Sequence, residues 1–327
     1  MDPPGRRGWT SPFFLPRLET WYNGTAQVGK RSFLRFLSQG DRSTADSRDQ
    51  GLRAEQPMRL SSSSPKRWEG IRAWMDLFRK KPKIGLALGA GAARGVAHIG
   101  VLSVLKELDI HIDYLSGCSS GSFVGSLFAG GIEGEALELC GRQYRWRDAG
   151  RLNYLPKMGL ATNARMASYL QKKIGNPTFE ELRLPFFVVA TNLTSGRRRV
   201  FNTGPVIPAV MASCALPGIF APVEIDGELY CDGGLVDRIP SDVVRAAGAD
   251  IVIAVELTAL NHRSPPSSIY EVIRRALDIA LNSQIEYSRN GSDLVIRPVV
   301  DDINEFEFHK NDLLIDRGKQ AAVALLT

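Results

Sequence analysis

From about residue 83 onward, two hydrophobic patterns alternate along the chain. Short continuous apolar runs are typical of strands buried on both faces, and apolar residues spaced three or four apart are typical of helices. Continuous apolar runs, together with a few shorter segments of strand-forming residues, predict strands at 83–88, 114–117, 185–190, 197–201, 228–231, 250–255 and 294–296. The second pattern predicts helices at 96–105, 133–144, 163–174, 207–215 and 269–287. This alternation predicts an α/β domain with a mostly parallel sheet over residues 83–327.

The first part of the chain has a different composition. Residues 1–66 are rich in Gly, Pro, Ser and Arg, and we expect a disordered basic N-terminal segment. An organelle transit peptide is a minor alternative, which the early prolines disfavour. Residues 67–82 place Trp68, Trp74 and Phe78 on one face of a basic amphipathic helix. This helix could lie on an anionic membrane or pack on the following domain, and the second interpretation is slightly favoured.

The net charge and the spacing of the cysteines limit which classes of protein and which compartments fit this sequence. The chain has 327 residues and a net charge of +6. Residues 1–83 account for a balance of +9 and the remainder for −3. The four cysteines are widely spaced without a C-x-x-C pair, which argues against a zinc site or a disulfide framework and suits a reducing compartment. No apolar run reaches the roughly 20 residues of a membrane span. We expect a cytoplasmic protein with no nucleic-acid partner; a peripheral contact at the inner face of the membrane is an open alternative, and the oligomeric state also stays open.

The candidate chemistry centres on Gly117-Cys118-Ser119-Ser120-Gly121, a G-x-S-x-G sequence between a predicted strand and a predicted helix. Glycines on both sides of such a serine let the strand and helix approach while the hydroxyl is lifted out of the turn. The helix N-terminus beside it would stabilise negative charge. A turn of small residues that only caps the helix is the alternative, and the flanking apolar residues favour the nucleophile elbow.

A glycine-rich turn, Gly89 to Gly95, joins the first predicted strand to the first helix. Its backbone N–H groups could hold an anion. A dinucleotide-binding G-x-G-x-x-G turn would need glycine where the chain has Arg94. In the helix that follows, His98 is expected to have a packed, hydrogen-bonded role.

A nucleophilic serine needs a base, and Asp232 is the strongest candidate because it ends a predicted strand and precedes two glycines. These glycines allow a sharp turn that brings the carboxylate to a neighbouring strand end. A plain Asp-Gly-Gly turn is the alternative. A Ser-Asp-His triad would require His262 or His309, and neither lies in a favourable sequence context.

Four segments together resemble the patatin-like phospholipase family, particularly its compact bacterial members. They are 88–102 (LGAGAARGVAHIGVL), the elbow 117–121, 212–222 (ASCALPGIFAP) and 232–234 (DGG), in family order within residues 83–260. The family's turn has glycines where this chain has Ala90 and Ala92. Alanine keeps its N–H group but tolerates a positive φ poorly.

The resemblance implies a three-layer α/β/α domain that hydrolyses acyl esters of lipids, such as a phospholipase A, lysophospholipase or esterase. Ser119 would be the nucleophile and Asp232 the base. Backbone N–H groups of Gly91, Ala92 and Ala93 would form the oxyanion hole. Arg94 would bind the substrate phosphate or fix the loop. This chemistry requires no metal or other cofactor. A catalytically weak lipid- or anion-binding regulatory module on the same fold is the alternative function.

Overall fold

A computed structural model of the chain describes residues 81–152, 158–257, 265–283, 285–288, 290–304 and 307–327. The predicted N-terminal segment 1–66 lies outside these residues. So does the predicted helix 67–82, apart from its last two residues, which are coil before the first strand.

The described strands are β1 (Ile84–Leu88), β2 (Tyr114–Cys118), β3 (Arg151–Leu152), β4 (Ala161–Thr162), β5 (Phe186–Asn192), β6 (Arg198–Phe201), β7 (Val223–Ile225), β8 (Glu228–Asp232), β9 (Ile251–Val255) and β10 (Leu294–Ile296). The α-helices are α1 (Ala97–Glu107), α2 (Ser120–Ala129), α3 (Gly134–Gln143), α4 (Trp146–Ala149), α5 (Ala164–Ile174), α6 (Val206–Ser213), α7 (Ser241–Ala246), α8 (Ile269–Asn282), α9 (Ile285–Ser288) and α10 (Asn311–Leu326). Single 3₁₀ turns occur at Ala92–Val96, Phe179–Glu181, Gly233–Leu235 and Phe308–Lys310.

The main sheet has the strand order β10-β9-β1-β2-β5-β8-β7, with β6 also paired to β5. Strands β10, β9, β1, β2 and β5 are parallel. Because side chains alternate along a strand, Leu86 and Leu88 of β1 face one apolar cluster and Ala87 faces another. Helices cover both clusters, with α1, α2, α6 and α10 on the first face and α7 and α9 on the second. The expected three-layer α/β/α fold is therefore confirmed.

One edge of the sheet is antiparallel, which the hydrophobic pattern did not predict. Strand β8 runs antiparallel to β5 and pairs with β7 in a hairpin. The two residues between β7 and β8, Asp226 and Gly227, both have positive φ, of 52° and 78°. An Asp-Gly pair in this conformation is the preferred two-residue hairpin connection, because its twist matches that of the strands.

The last helix, α10, was absent from the predicted elements. It packs on α1 at a crossing where two glycines meet. A Cβ atom on Gly318 would lie 2.0 Å from the carbonyl oxygen of Ala97, and one on Gly100 would lie 2.0 Å from that of Ile315. Two helices at this separation need glycine on both surfaces. The predicted helix 269–287 is also divided in the structure, since α8 ends at Asn282 and α9 begins at Ile285.

Replacing Gly318 by Ala is expected to lower the free energy of unfolding by about 1–3 kcal/mol, because backbone atoms of α1 cannot yield without a shift of the helix. This loss should exceed the gain in helix propensity of about 1 kcal/mol. Urea unfolding of the two proteins measures the difference. Val323→Ala, at an exposed position of the same helix, is the control and should change the midpoint little. An unchanged midpoint for Gly318→Ala would contradict the close crossing.

Candidate active site

Ser119 lies at the bend between β2 and α2 in an unusual backbone conformation. Its φ and ψ are 52° and −123°. Residues other than glycine rarely adopt positive φ, and such a conformation costs about 1–3 kcal/mol. The surrounding contacts must therefore hold this residue in place.

Hydrogen bonds to both backbone groups of Ser119 supply that restraint. Its N–H donates to the Ser213 hydroxyl oxygen at 2.8 Å, and Ser213 in turn donates to the Val189 carbonyl at 2.6 Å. The Ser119 carbonyl accepts from the Ser122 hydroxyl at 2.6 Å and from the Cys214 thiol at 3.1 Å. Ser213 and Cys214 both belong to the segment 212–222 of the resemblance, to which the sequence alone assigned no role.

Glycines allow the neighbouring chain segments to approach the bend. A Cβ atom on Gly121 would lie 2.1 Å from the Leu88 carbonyl oxygen, and one on Gly117 would lie 2.6 Å from the Cα atom of Ser122. A Cβ atom on Gly95 would lie 2.3 Å from that of Ser120, so the glycine-rich turn touches the elbow directly. Contact between the two motifs therefore explains Gly95 and Gly121, and the tight bend into α2 explains Gly117.

Strand register places Asp232 level with Ser119, although β5 lies between their strands. Cys118 of β2 is opposite Val189 of β5, and Ala190, the next residue of β5, is opposite Asp232 of β8. The residue after Cys118 is Ser119, so the strand register brings Ser119 level with Asp232. The sequence predicted a neighbouring strand end. The actual strand is the next but one, because the antiparallel β8 pairs with the far side of β5.

The Ser119 hydroxyl donates to Oδ2 of Asp232 at 2.6 Å. The other carboxylate oxygen, Oδ1, accepts from the Gly234 N–H at 2.8 Å. Asp232 is buried, and burial raises the pKa of its carboxyl group to about 6, although the hydrogen bonds from Ser119 and Gly234 oppose the shift. A carboxylate with this pKa is a stronger base than an exposed one and is still ionised at neutral pH.

The glycine-rich turn faces the same space. Gly91, Ala92 and Ala93 line a cavity together with Ser119 and Asp232. Ala92 and Ala93 begin the 3₁₀ turn, where N–H groups have no partner within the helix. Ala92 has a φ of 50°, so this turn adopts the glycine-favouring conformation at an alanine. Ala92, at a position where the family has glycine, therefore carries local backbone strain of about 1–2 kcal/mol.

Arg94 is buried, and its Nε donates to the Gly91 carbonyl at 3.3 Å. This contact ties the arginine to the turn itself, as expected if it fixes the loop. The guanidinium also lines the cavity, so a contact with substrate is compatible with the same position.

None of the described histidines lies at the hydrogen-bonded pair of Ser119 and Asp232, which we call the dyad. His98 is fully buried, and its Nε2 is 2.8 Å from the Gly89 carbonyl oxygen. Because a carbonyl only accepts, Nε2 carries the proton, and burial lowers the pKa of this imidazole to about 4. His98 therefore has the packed role that its sequence context predicted. His309 is exposed beside Glu307, and His262 lies outside the described residues.

The cavity beside the dyad encloses about 140 Å³ and is mainly apolar. Its apolar lining comes from Val96, Ile99, Phe123, Val124, Leu127, Tyr144, Met166, Tyr169, Leu216, Ile219, Phe220, Leu281 and Phe308. Rings pack against one another here, and those of Phe123 and Tyr144 have centroids 5.0 Å apart. An apolar cavity next to a serine and a carboxylate can hold a hydrocarbon chain with its ester at the hydroxyl.

One protein family and several known proteins are similar in sequence to this chain. Residues 86–245 match the family described as Patatin-like phospholipase. The chain is 29% identical over 267 residues to the lysophospholipase nte1 of Aspergillus fumigatus, covering 72% of this chain and 18% of that protein. It is 36% identical over 178 residues to an uncharacterized NTE family protein of Mycobacterium bovis, covering 54% of this chain and 49% of that protein.

Among solved structures, VipD of Legionella pneumophila matches with a TM-score of 0.45 and 13% identity, over 78% of this chain and 72% of that chain.

The chain spans about a fifth of the fungal relative and about half of the mycobacterial one. Residues 86–245 of this chain therefore belong to the patatin-like phospholipase family.

Proposed function

We propose that the protein hydrolyses fatty-acyl esters of lipids through a Ser119–Asp232 dyad and an acyl-enzyme. The observation that carries the proposal is the 2.6 Å hydrogen bond from the Ser119 hydroxyl to the buried Asp232 carboxylate, in the lining of an apolar cavity. The fungal relative is named a lysophospholipase, which supports a lysophospholipid or a related acyl ester as substrate.

The steps follow from the positions of the groups. Asp232 accepts the hydroxyl proton as Ser119 Oγ attacks the ester carbonyl. The N–H groups at Gly91, Ala92 and Ala93 stabilise the negative charge on the carbonyl oxygen. The alcohol leaves with the proton that Asp232 returns. Water then attacks the acyl-enzyme by the same route and releases the fatty acid.

The alternative, a weakly active lipid- or anion-binding module, rests on the alanines of the glycine-rich turn. Ala92 occupies the left-handed conformation that the turn requires. An alanine N–H in that conformation is available to an oxyanion as a glycine N–H would be, so this substitution is compatible with turnover.

Both members of the dyad are expected to be essential. Ser119→Ala should abolish labelling by a fluorophosphonate and reduce ester hydrolysis to background. Asp232→Asn should lower kcat by roughly 10²–10⁴-fold, because the proton acceptor is lost. Hydrolysis of a p-nitrophenyl ester and gel detection of the probe measure the two effects.

Ser120→Ala and His309→Ala are the matched controls, since the first lies beside the nucleophile and the second removes a histidine distant from the dyad. Both should retain labelling and turnover. Loss of activity in His309→Ala would replace the dyad by a triad. Absence of labelling in folded wild-type protein would favour the binding module.

Activity and stability should depend on pH in opposite directions. The base must be ionised, so kcat/KM should rise through a pH of about 6 and then level off.

The folded-state pKa of Asp232 lies above its ordinary value of 3.8. Its contribution to stability is therefore greatest below pH 4 and is lost as the pH rises through about 6.

Asp232→Asn removes this titration and should increase the free energy of unfolding at pH 8 by on the order of 2 kcal/mol. Below pH 4 the increase should disappear. Denaturant unfolding at the two pH values measures the difference. An equal effect at both values would contradict a raised pKa at this carboxyl group.

We also propose a peripheral membrane contact, through the basic segment 67–82 and the face of α8. Helix α8 has its apolar residues outside: Ile269, Val272, Ile273 and Ile279 are 50–80% exposed. Asp278 and Leu281 of the same helix line the cavity. The helix therefore contributes both to the cavity and to an exposed apolar surface. Within the described residues, no helix has the length and hydrophobicity that crossing a bilayer requires.

The double variant Ile269→Asp/Ile273→Asp should lower binding to lipid vesicles by at least about tenfold, because two large apolar side chains no longer enter the interface. Vesicle sedimentation and hydrolysis of vesicle-borne ester measure the effect. A short soluble ester should be hydrolysed at the wild-type rate. Val299→Asp, an equally exposed valine outside the helix, is the control. Equal vesicle binding by the double variant would exclude this face.

A further inference from the structure

A buried arginine that the dyad chemistry does not use lies at the same cavity. Arg238 is 8% exposed and lines the cavity with Ser119 and Asp232. Its Cγ atom is 3.8 Å from the position that a Cβ atom on Gly234 would occupy, so the side chain runs along the Asp-Gly-Gly turn. Arg238 follows Asp232 by six residues and had no signal in the sequence.

The backbone of Arg238 is fixed to the catalytic elements on both sides. Its carbonyl accepts from the Ala90 N–H at 2.9 Å, which attaches it to the glycine-rich turn. Its N–H donates to the Ser288 hydroxyl oxygen at 3.3 Å. The preceding residue, Asp237, donates its N–H to the Gly233 carbonyl at 2.9 Å. The backbone from which the Arg238 side chain starts is therefore held close to Asp232 and the glycine-rich turn.

The guanidinium has no internal partner in the described part of the chain: no hydrogen bond or ion pair reaches it there. The adjacent Asp237 is paired instead with Arg198 at 2.6 Å. The oxygens of Asp232 accept from Ser119 and Gly234. Arg238 is largely buried, but among the described residues none of its nitrogen atoms is fully enclosed without a partner, so these donors are open to the cavity. Buried charges are ordinarily paired. A ligand that brings an anion into the cavity would complete this site.

We infer that Arg238 binds the phosphate group of the substrate, so that the preferred ester is a phosphate-bearing lipid and not a neutral glyceride. The inference rests on the proposed acyl hydrolysis. A guanidinium matches phosphate because two parallel N–H donors meet two oxygens, and a phosphodiester keeps its charge throughout the physiological range. The apolar residues of the cavity hold the acyl chain, the dyad meets the ester, and Arg238 holds the phosphate on the glycerol side.

The test compares two substrates that differ only in the phosphocholine group, a lysophosphatidylcholine and a monoacylglycerol with the same short acyl chain, both monomeric in solution. In Arg238→Gln, kcat/KM for the phosphate ester should fall by about 10- to 100-fold, mostly through KM, since a charged hydrogen bond is lost. At pH 8, where Asp232 is ionised with or without the charge of Arg238, the neutral ester should be hydrolysed within about twofold of the wild-type rate, which also shows that the variant folds. Arg238→Lys should recover part of the loss, because the charge remains without the paired donors.

Arg317→Gln, which removes an arginine paired with Asp302 at the surface, is the control and should leave both substrates unaffected. An equal loss on both esters in Arg238→Gln would overturn the inference, because Arg238 would then act through Asp232. No loss on either ester would also overturn it.

Inorganic phosphate should raise the KM of the phosphate ester in wild type and not in Arg238→Gln. Saturable phosphate binding that does not compete with this ester would assign the site to free phosphate instead. Failure of wild type to hydrolyse either ester would reject the proposed function itself.

Discussion

The strained bend at Ser119 is the constraint on which the site depends. A serine with φ of 52° is stable only because Ser213, Ser122 and Cys214 satisfy its backbone groups. These three residues come from two helices, so the strain is offset by packing across the domain and not by the turn alone. Because α2 begins at this bend, its position against β1 also fixes the distance between the nucleophile and the glycine-rich turn.

Burial gives the dyad its chemistry. In water a carboxyl group is a weak base toward a serine hydroxyl, since its pKa lies near 4. At Asp232 the surrounding apolar atoms raise the pKa to about 6, and the charge of Arg238 acts in the opposite direction. The carboxylate is therefore a stronger base that is still ionised at neutral pH. The same desolvation makes the native state less stable as the pH rises, so the site is maintained at the expense of stability.

In the proposed reaction, three kinds of group at the cavity have separate tasks. Apolar side chains from several helices would hold a hydrocarbon chain, and Ser119, Asp232 and the glycine-rich turn would act on the ester. Arg238 contributes a positive charge that the described residues do not neutralise by direct contact. Helix α8 joins the cavity to the outside, with Leu281 facing inward and Ile273 outward.

The sequence by itself determined the strands of the parallel core, the glycine-rich turn, the elbow at Ser119 and Asp232 as the candidate base. These features depend on local chemistry, because glycine, a buried apolar run or an acid at a strand end is recognisable within a few residues. Only the tertiary structure decided that β8 is antiparallel, that Asp232 reaches Ser119 across β5, and that Ser213 and Arg238 belong to the site. The Ser119–Asp232 contact joins residues 113 positions apart. Its geometry follows from strand order and register, which depend on how distant segments pack.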